Sequence, residues 1–353
     1  MILNLYKAID RNRIQFDFIV DHPNLMDLAP AFKSLGAIVY EMPTFKGTNI
    51  AEVKAAWNKF FEQHPEYKIL HTHVRSYASL YLPIAKKHGL ITIAHSHNTS
   101  NGKGLSSVLK YLLQFPIRKQ ADYLFACSEM AGEWLYGKKA VKGDNYKVIN
   151  NAIESKHFVY NETVRNAVRS ELVVQDCFVI GNVGRLVKQK NQAFLLRVFR
   201  DILSQKKDAR LLILGDGELR DELVRLSQEW KISDAVIFLG SKTNVQDYYQ
   251  AMDVFVFPSL WEGLGIVAVE AQAAGLPCVV SDQVPGEADI GAGLIQYLPL
   301  TDSTSDWCSA ILNAGCGDRK DMSQQVIRAG YDIADNAGWL QEFYLEIAQQ
   351  NRE

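Results

Sequence analysis

Residues 254–277 read VFVFPSLWEGLGIVAVEAQAAGLP and contain one strand, one loop and one helix in succession. The apolar run Val254–Phe257 predicts a buried strand, and the loop after it contains Gly263 and Gly265. Gly275 and Pro277 mark the end of the helix that follows, because both residue types are common just beyond a helix C-terminus. This order of elements is the repeating unit of a parallel α/β sheet.

The same alternation extends over the rest of the chain and occurs twice. In the first half, strands are predicted at Phe16–Val20, Ala37–Glu41, Ile69–Thr72, Ile91–His95, Tyr123–Cys127 and Lys147–Ile149, with helices at 2–9, 25–35, 50–63, 76–88, 105–120 and 129–136. In the second half, strands are predicted at Phe178–Val183, Arg210–Leu214, Val236–Leu239, Val254–Phe257 and Cys278–Ser281. The alternation predicts an α/β fold of two doubly wound parallel-sheet, Rossmann-like domains that face each other across a cleft. We expect an N-terminal domain over residues 1–165, a C-terminal domain over 166–335 and a closing helix over 336–353.

Composition excludes several classes of protein. With 353 residues, 48% hydrophobic and 22% charged, the chain is long enough for two globular domains. The net charge of −2 gives no electrostatic reason to expect nucleic acid as a partner. The five cysteines are odd in number and form no C-x-x-C pair, which indicates reduced thiols in a cytoplasmic protein. No apolar run approaches the roughly 20 residues that span a bilayer, and no secretory signal is visible.

Two carboxylates border the loop and helix of residues 254–277. Glu262 lies at the loop tip, and Glu270 lies a turn or more inside the helix. A helix N-terminus favours an anion, and Gly263 and Gly265 let a ligand approach the backbone closely. A ligand that is part phosphate and part polyol, such as a nucleotide sugar, suits these groups. The alternatives are an exposed helix residue paired with a base for Glu270, and a first-turn residue favoured by the helix dipole for Glu262.

A second loop at the same predicted sheet edge contains Gly184, Arg185 and Lys190, directly after the strand Phe178–Val183. Ligands of open α/β sheets bind beyond the carboxyl ends of the strands. A guanidinium and an ammonium there can hold a diphosphate and stabilise the charge that develops on a leaving nucleotide. The alternative is that both side chains are solvated surface charges.

A third loop, Gly215-Asp216-Gly217, follows the strand Arg210–Leu214. It is interpreted in two ways: as a contact to the nucleotide, or as a strand-to-helix turn in which Asp216 is a local cap.

Histidines follow two strands of the first half. His95 and His97 end one predicted strand, and we expect only one of the two to face the cleft. His97 is the candidate for a hydrogen bond to the donor sugar or the acceptor, and a structural histidine is the alternative. His71 and His73 repeat the pattern one strand earlier, with a weaker case. No further ligands stand at a spacing that predicts a metal site.

Together these residues resemble glycosyltransferase family 4, whose members are retaining, metal-independent nucleotide-sugar enzymes of the GT-B fold. The similarity extends over nearly the whole chain and is closest to bacterial capsular and exopolysaccharide transferases. Its most specific parts are Gly184-Arg185 with Lys190, and Glu262-Gly263-x-Gly265 with Glu270.

The resemblance also implies roles for individual residues. Arg185 and Lys190 would bind the diphosphate, Glu270 the ribose, Glu262 and Gly265 would lie by the donor sugar, and His97 near the reaction centre. Further nucleotide contacts are expected from Gly184, Gly215, Gly217, Gly263 and Ile266.

No metal and no cofactor are expected, which agrees with the absence of a D-x-D triplet. The nucleotide sugar, a UDP-sugar, is a substrate, and the acceptor is a polysaccharide or a lipid-linked sugar. The implied transfer occurs on one face of the sugar with retention, and the leaving phosphate helps to deprotonate the acceptor.

Two departures from the family pattern bear on activity. Asn151-Ala152 stands where family members usually have Asn-Gly. The chain opens on the helical spacing of Ile2, Leu5 and Ile9, whereas the family begins with a strand and a Gly-Gly loop. We therefore expect an N-terminal truncation.

The alternative function is a catalytically impaired nucleotide-sugar-binding or scaffold protein of a polysaccharide assembly complex. An epimerase or phosphorylase is a third reading, and no motif identifies the lysine that a pyridoxal-dependent phosphorylase needs.

A basic, amphipathic segment, residues 103–120, raises the question of membrane contact. Its apolar face and neighbouring charges suit the surface of an anionic membrane that carries a polyprenyl-linked acceptor. The alternative is a packed helix between the domains. The apolar residues are Leu105, Val108, Leu109, Leu112 and Leu113, and the basic ones are Lys103, Lys110, Arg118 and Lys119.

Overall fold

The computed structural model describes residues 2–22, 29–74, 76–97, 111–314 and 317–350. They form two compact units: residues 1–152 together with 333–353, and residues 153–332. We call them the first and the second unit.

The strands and helices alternate along the chain, as the sequence predicts. The strands are β1 (Phe18–Val20), β2 (Val39–Glu41), β3 (Ile69–Thr72), β4 (Ile91–Ser96), β5 (Tyr123–Ala126), β6 (Tyr146–Val148), β7 (Phe178–Val183), β8 (Ala209–Leu214), β9 (Val236–Gly240), β10 (Val254–Phe257), β11 (Cys278–Ser281) and β12 (Ile295–Leu298). The helices are α1 (Ile2–Ala8), α2 (Ala29–Ser34), α3 (Ile50–Gln63), α4 (Leu82–Lys87), α5 (Ile117–Gln120), α6 (Glu129–Tyr136), α7 (Ser155–Phe158), α8 (Glu162–Glu171), α9 (Gln192–Gln205), α10 (Arg220–Glu229), α11 (Val245–Ala251), α12 (Ile266–Ala273), α13 (Thr304–Asn313), α14 (Ser323–Arg328) and α15 (Ile333–Gln350).

In the first unit, all strand pairs are parallel. Strands β3, β4, β5 and β6 form one sheet in that order, and β1 pairs with β2 in a second sheet. The helix α15 packs against α1, and its Leu340 and Tyr344 share a hydrophobic cluster with Phe125 of the sheet. The last helix of the chain is therefore part of the first unit.

In the second unit, six parallel strands follow the order β12-β11-β10-β7-β8-β9. Every residue of β10 and β11 is buried, which explains why these strands are continuous apolar runs without alternation. Alternate residues of a strand belong to two different hydrophobic clusters. In β10, Phe255 lies in one cluster and Val256 lies in the other. This arrangement places the core on both faces of the sheet and confirms a doubly wound unit.

Most of the predicted elements are confirmed, and three differences bear on the organisation of the chain. The strand β12 was not predicted. The units divide at Ala152 and Ile153, and not after residue 165, because Ile153 pairs with Asp332 and α8 packs against α11. The predicted helix 105–120 is interrupted before α5 at Pro116, since proline lacks the N–H that a helix interior requires. Residues 103–110 of that segment and 25–28 of the predicted second helix lie outside the described residues.

Two absences hold for the described part of the chain. Its four cysteines, Cys127, Cys177, Cys278 and Cys308, are free thiols. None of its helices combines the length and the apolar character that crossing a membrane requires.

Candidate functional site

Three loops of the second unit end at one edge of its sheet. Strands β10, β7 and β8 are neighbours and run parallel, so the loops after them lie side by side at the carboxyl edge, as predicted. We call these loops the β7 loop (184–191), the β8 loop (215–219) and the β10 loop (258–265). They contain most of the site residues predicted from the sequence.

Hydrogen bonds hold the β7 loop to the β10 loop. The Leu260 N–H donates to the Gln189 carbonyl oxygen at 2.8 Å, and Gln189 Nε2 donates to the Trp261 carbonyl oxygen at 2.8 Å. Asn191 Nδ2 donates to the Pro258 carbonyl oxygen at 3.1 Å. Asn191 directly precedes α9 and has a φ of 56°, a left-handed backbone conformation that asparagine adopts more readily than most residues. The two loops therefore form one connected structure.

Lys190 and Glu262 meet where these two loops touch. Lys190 Nζ lies 2.6 Å from Glu262 Oε1, and the side chains are 15% and 7% exposed. The ammonium also lies 4.8 Å from the centroid of the Phe257 ring. For Lys190 the alternative of a solvated surface charge is wrong, whereas Arg185 is exposed, as that alternative has it. Glu262 precedes α12 and pairs with a lysine, so the alternative of a first-turn residue is also wrong.

Arg185 is the first of three cations in the β7 loop, which also contains Lys188 and Lys190. Its side chain is exposed, and it forms no hydrogen bond or ion pair with any residue that the structure describes. Its backbone is fixed, because Gln192 Nε2 donates to the Arg185 carbonyl oxygen at 3.1 Å. A guanidinium on a fixed backbone, beside a lysine already paired with a carboxylate, can bind an anion bidentately.

The glycines of the β8 loop are explained by close backbone packing. A Cβ on Gly215 would lie 2.0 Å from the Gly184 carbonyl oxygen, and one on Gly217 would lie 2.4 Å from the Leu186 carbonyl oxygen. Asp216 Oδ1 accepts from the Gly217 N–H at 2.8 Å. The loop is a tight strand-to-helix turn, but Asp216 bonds only the next residue and does not cap the helix, whose N-cap is Leu219. Contact with a nucleotide stays a prediction for Gly184, Gly215 and Gly217.

Gly217→Ala should destabilise the second unit by about 1–3 kcal/mol, because the added methyl group overlaps with backbone that cannot move away. Urea unfolding measures the loss. Gly286→Ala is the matched control, since no atom lies within 4 Å of the Cβ that it would add. Equal stability of the two variants would contradict the packing argument.

The N-terminus of α12 follows directly on the β10 loop. Gly265 precedes the helix with a φ of 82°, and among the described residues no side chain caps the first turn, which begins at Ile266. A Cβ on Gly265 would lie 3.2 Å from both Phe257 Cε1 and Val284 Cγ1, whereas one on Gly263 would meet no atom within 4 Å. The free N–H groups of this first turn suit an anion.

Glu270 lies one turn inside α12, as predicted, with its carboxylate directed at Tyr249. Tyr249 donates from its hydroxyl to Glu270 Oε2 at 2.9 Å. Burial raises the pKa of Glu270 from 4.5 to about 7, although the hydrogen bond from Tyr249 opposes the shift. The alternative that Glu270 is an exposed residue paired with a base is therefore wrong. Its second carboxylate oxygen can accept from a ligand hydroxyl.

Four histidines of the first unit, His71, His73, His95 and His97, form one cluster of rings at the sheet. The rings of His95 and His97 are stacked with centroids 4.2 Å apart. His73 Nδ1 lies 2.7 Å from His97 Nε2. The prediction that only one of His95 and His97 faces this side is wrong, because residues two apart on a strand point in the same direction.

Models of two protein families match the chain. The family described as "Glycosyltransferase Family 4" matches residues 1–157, and the one described as "Glycosyl transferases group 1" matches residues 164–292. Each match falls largely within one compact unit.

Individual relatives extend these matches. A protein of Bacillus subtilis (strain 168) named as a glycosyltransferase, EpsF, is 30% identical over 98% of this chain and 92% of its own. The Escherichia coli UDP-Gal:alpha-D-GlcNAc-diphosphoundecaprenol alpha-1,3-galactosyltransferase is 28% identical over 62% of this chain and 58% of its own.

Among solved structures, HepE of Anabaena in complex with UDP is similar with a TM-score of 0.69. The match covers 99% of this chain and 93% of HepE at 17% identity. The similarity confirms the GT-B fold that the sequence predicts.

Proposed function

Because the chain belongs to the glycosyltransferases of group 1 and family 4, we propose that it transfers a sugar from a UDP-sugar to a lipid-linked or polysaccharide acceptor. The observation that carries the donor site is the Lys190–Glu262 ion pair, which joins the loop of the exposed Arg185 to the loop that leads into α12. Relatives support the substrate classes: HepE is solved with UDP, and the E. coli relative is named for UDP-galactose and a diphosphoundecaprenol acceptor.

The proposed donor roles follow the chemistry of each group. Arg185 and Lys190 bind the diphosphate, aided by the N–H groups at Gly265 and Ile266. Glu270 accepts hydrogen bonds from the ribose diol, because its carboxylate is held in place by Tyr249. Glu262 lies near the transferred sugar, as the family resemblance implies. Its carboxylate also partly neutralises Lys190 until a diphosphate binds.

The proposed reaction needs no protein nucleophile and no metal. The acceptor oxygen forms a bond to the anomeric carbon on the face from which UDP departs, and the bond to the leaving phosphate oxygen breaks. The acceptor proton goes to that phosphate, and the configuration of the sugar is retained. Arg185 and Lys190 supply the positive charge that offsets the developing negative charge on UDP. For His97 we retain a hydrogen bond to the transferred sugar or the acceptor, as the family resemblance implies.

UDP should raise the thermal stability of the wild type in buffer that contains EDTA, and Arg185→Ala should abolish the rise. A ligand at about 100 times its dissociation constant stabilises a protein that binds it only when folded by roughly 2.7 kcal/mol. Differential scanning fluorimetry measures the shift. Arg225→Ala is the matched control, because Arg225 is an exposed arginine of the same unit that pairs with Glu229. A UDP shift of equal size in Arg185→Ala and the wild type would contradict the assigned site.

We further propose that the protein is cytoplasmic and contacts the membrane through residues 111–120, the part of the basic segment that the structure describes. Tyr111, Leu112 and Phe115 are 58%, 63% and 48% exposed, and the Arg118 guanidinium lies 3.8 Å from the centroid of the Phe115 ring. Exposed apolar side chains beside a cation suit the boundary between anionic headgroups and acyl chains. Such contact would bring the protein to a lipid-linked acceptor.

Leu112→Ser combined with Lys110→Glu and Lys119→Glu should abolish co-sedimentation with anionic vesicles, because it removes both apolar area and positive charge. Arg118 is left intact, since its guanidinium donates to the Tyr136 carbonyl oxygen. The control reverses the exposed lysines 138, 139 and 142 of the same unit. Equal binding of the wild type and the first variant would exclude this surface.

A further inference from the structure

Four of the eight histidines of the chain are in one cluster of the first unit. His71 and His95 lie on the neighbouring strands β3 and β4, and His73 and His97 follow the ends of these strands. Their rings are stacked: His71 and His73 are 4.6 Å apart between centroids, and His73 and His97 are 5.0 Å apart. Because parallel pairing brings the two His-x-His segments together, their ring nitrogens converge at one place.

Two ring nitrogens of this cluster already have partners that fix the orientation of their rings. His71 Nδ1 lies 2.5 Å from the Tyr344 hydroxyl on α15, and His73 Nδ1 lies 2.7 Å from His97 Nε2. A histidine that binds a metal through one nitrogen commonly donates its other N–H to such a partner. An ion between the rings would take the place of the hydrogen bond that His71 Nε2 forms with His95 Nδ1 at 3.2 Å.

His95 is the most buried ring of the cluster, with 3% exposure. Its Nδ1 lies 3.2 Å from His71 Nε2, so Nδ1 is the nitrogen through which His95 would share an ion with His71.

The distances fit a transition metal. His71, His73 and His95 each offer one nitrogen, and these nitrogens lie within 4.8 Å of one another. Zinc binds imidazole nitrogen at about 2.0–2.1 Å, so two ligands of a tetrahedral ion are separated by about 3.4 Å. The 3.2 Å between His71 Nε2 and His95 Nδ1 is close to that value.

The donor atoms of the cluster are all imidazole nitrogens, which bind a metal in their neutral form. Nitrogen donors without a carboxylate favour zinc over magnesium or calcium.

We propose that His71, His73 and His95 bind a single divalent transition-metal ion, with Zn²⁺ as the ion of choice. Tyr344 and His97 orient two of the ligands from outside. The site belongs to the first unit and takes no part in the proposed sugar transfer, which needs no metal. It also joins β3 and β4 to α15 through Tyr344, so the ion should stabilise the first unit.

Cobalt is the probe that tests the site, because tetrahedral Co²⁺ absorbs visible light far more strongly than hydrated Co²⁺. The full chain, treated with EDTA and dialysed, is titrated with Co²⁺ and then with Zn²⁺. We expect one Co²⁺ per chain, an intense visible band, and loss of that band when one equivalent of Zn²⁺ is added. Zn²⁺ should also raise the melting temperature.

The variants separate this site from adventitious binding. His73→Ala and His95→Ala should lose the band, and Tyr344→Phe, which keeps the ring, should weaken Zn²⁺ binding about 10–100-fold. His157→Ala is the control, because that side chain is 63% exposed in the second unit. A wild type without stoichiometric Co²⁺ binding would overturn the proposal. A folded Tyr344→Phe protein with unchanged Zn²⁺ affinity, or a band that survives His95→Ala, would overturn it equally.

Discussion

Lys190→Met lowers kcat by about 10²–10³-fold on our account, because it removes one of the two cations that stabilise the leaving diphosphate. It should also lower the free energy of unfolding. Glu262, which is 7% exposed, loses its only ion-pair partner among the described residues, and a buried charge left without a partner is strongly destabilising. Steady-state kinetics and urea unfolding measure the two effects separately.

The double variant Lys190→Met with Glu262→Gln distinguishes the two effects. Since it removes both charges of the ion pair, stability should return toward that of the wild type, while kcat stays low. Recovery of transfer along with stability would show that Lys190 acts only by supporting the fold. Lys206→Met is a suitable control, because Lys206 pairs with Asp208 at a more exposed position.

Glu270→Gln should change stability and nucleotide binding in opposite directions. The wild-type carboxyl has a pKa raised from 4.5 to about 7 by burial. Between these pH values the folded state binds more protons than the unfolded state, so stability falls as pH rises and the loss is complete above pH 7. One pKa unit corresponds to about 1.36 kcal/mol, which makes the penalty on the order of 3 kcal/mol. A glutamine at position 270 avoids this penalty and still accepts a hydrogen bond from the Tyr249 hydroxyl.

Glu270→Gln should therefore melt higher than the wild type at pH 8 and equal it near pH 4. Its affinity for UDP should fall about 10–100-fold at pH 8, because a charged acceptor for the ribose diol is lost. Calorimetry on both proteins gives the two quantities, with the exposed Glu222→Gln as control. Unchanged UDP affinity would remove Glu270 from the ribose site, and lower stability at pH 8 would contradict the assigned pKa.

Periodicity was enough to predict the architecture because buried parallel strands are continuous apolar runs. Val254–Phe257 and Cys278–Ser281 were predicted with the bounds that the structure gives. Strand β12 was missed, since Ile295–Leu298 is a short edge strand whose residues are only partly buried. Its pattern therefore lacks the apolar continuity of the inner strands.

The sequence predicts which loops form the candidate site, but it does not predict which of their side chains contact each other. The sequence places Lys190 and Glu262 after two different strands, and only the order of β7 and β10 in the sheet brings their charges together. Likewise, the contact of Tyr249 with Glu270 depends on packing of α11 and α12. The histidine cluster could have been predicted, because the two-residue period of a strand places His95 and His97 on one face.

A crystal structure with UDP, grown in the presence of EDTA, tests the central claim most directly. We predict the diphosphate within hydrogen-bond distance of the Arg185 guanidinium and of Lys190 Nζ, with the ribose hydroxyls on Glu270. UDP bound with its diphosphate away from Arg185 and Lys190, or bound only when a divalent metal is added, would contradict the account.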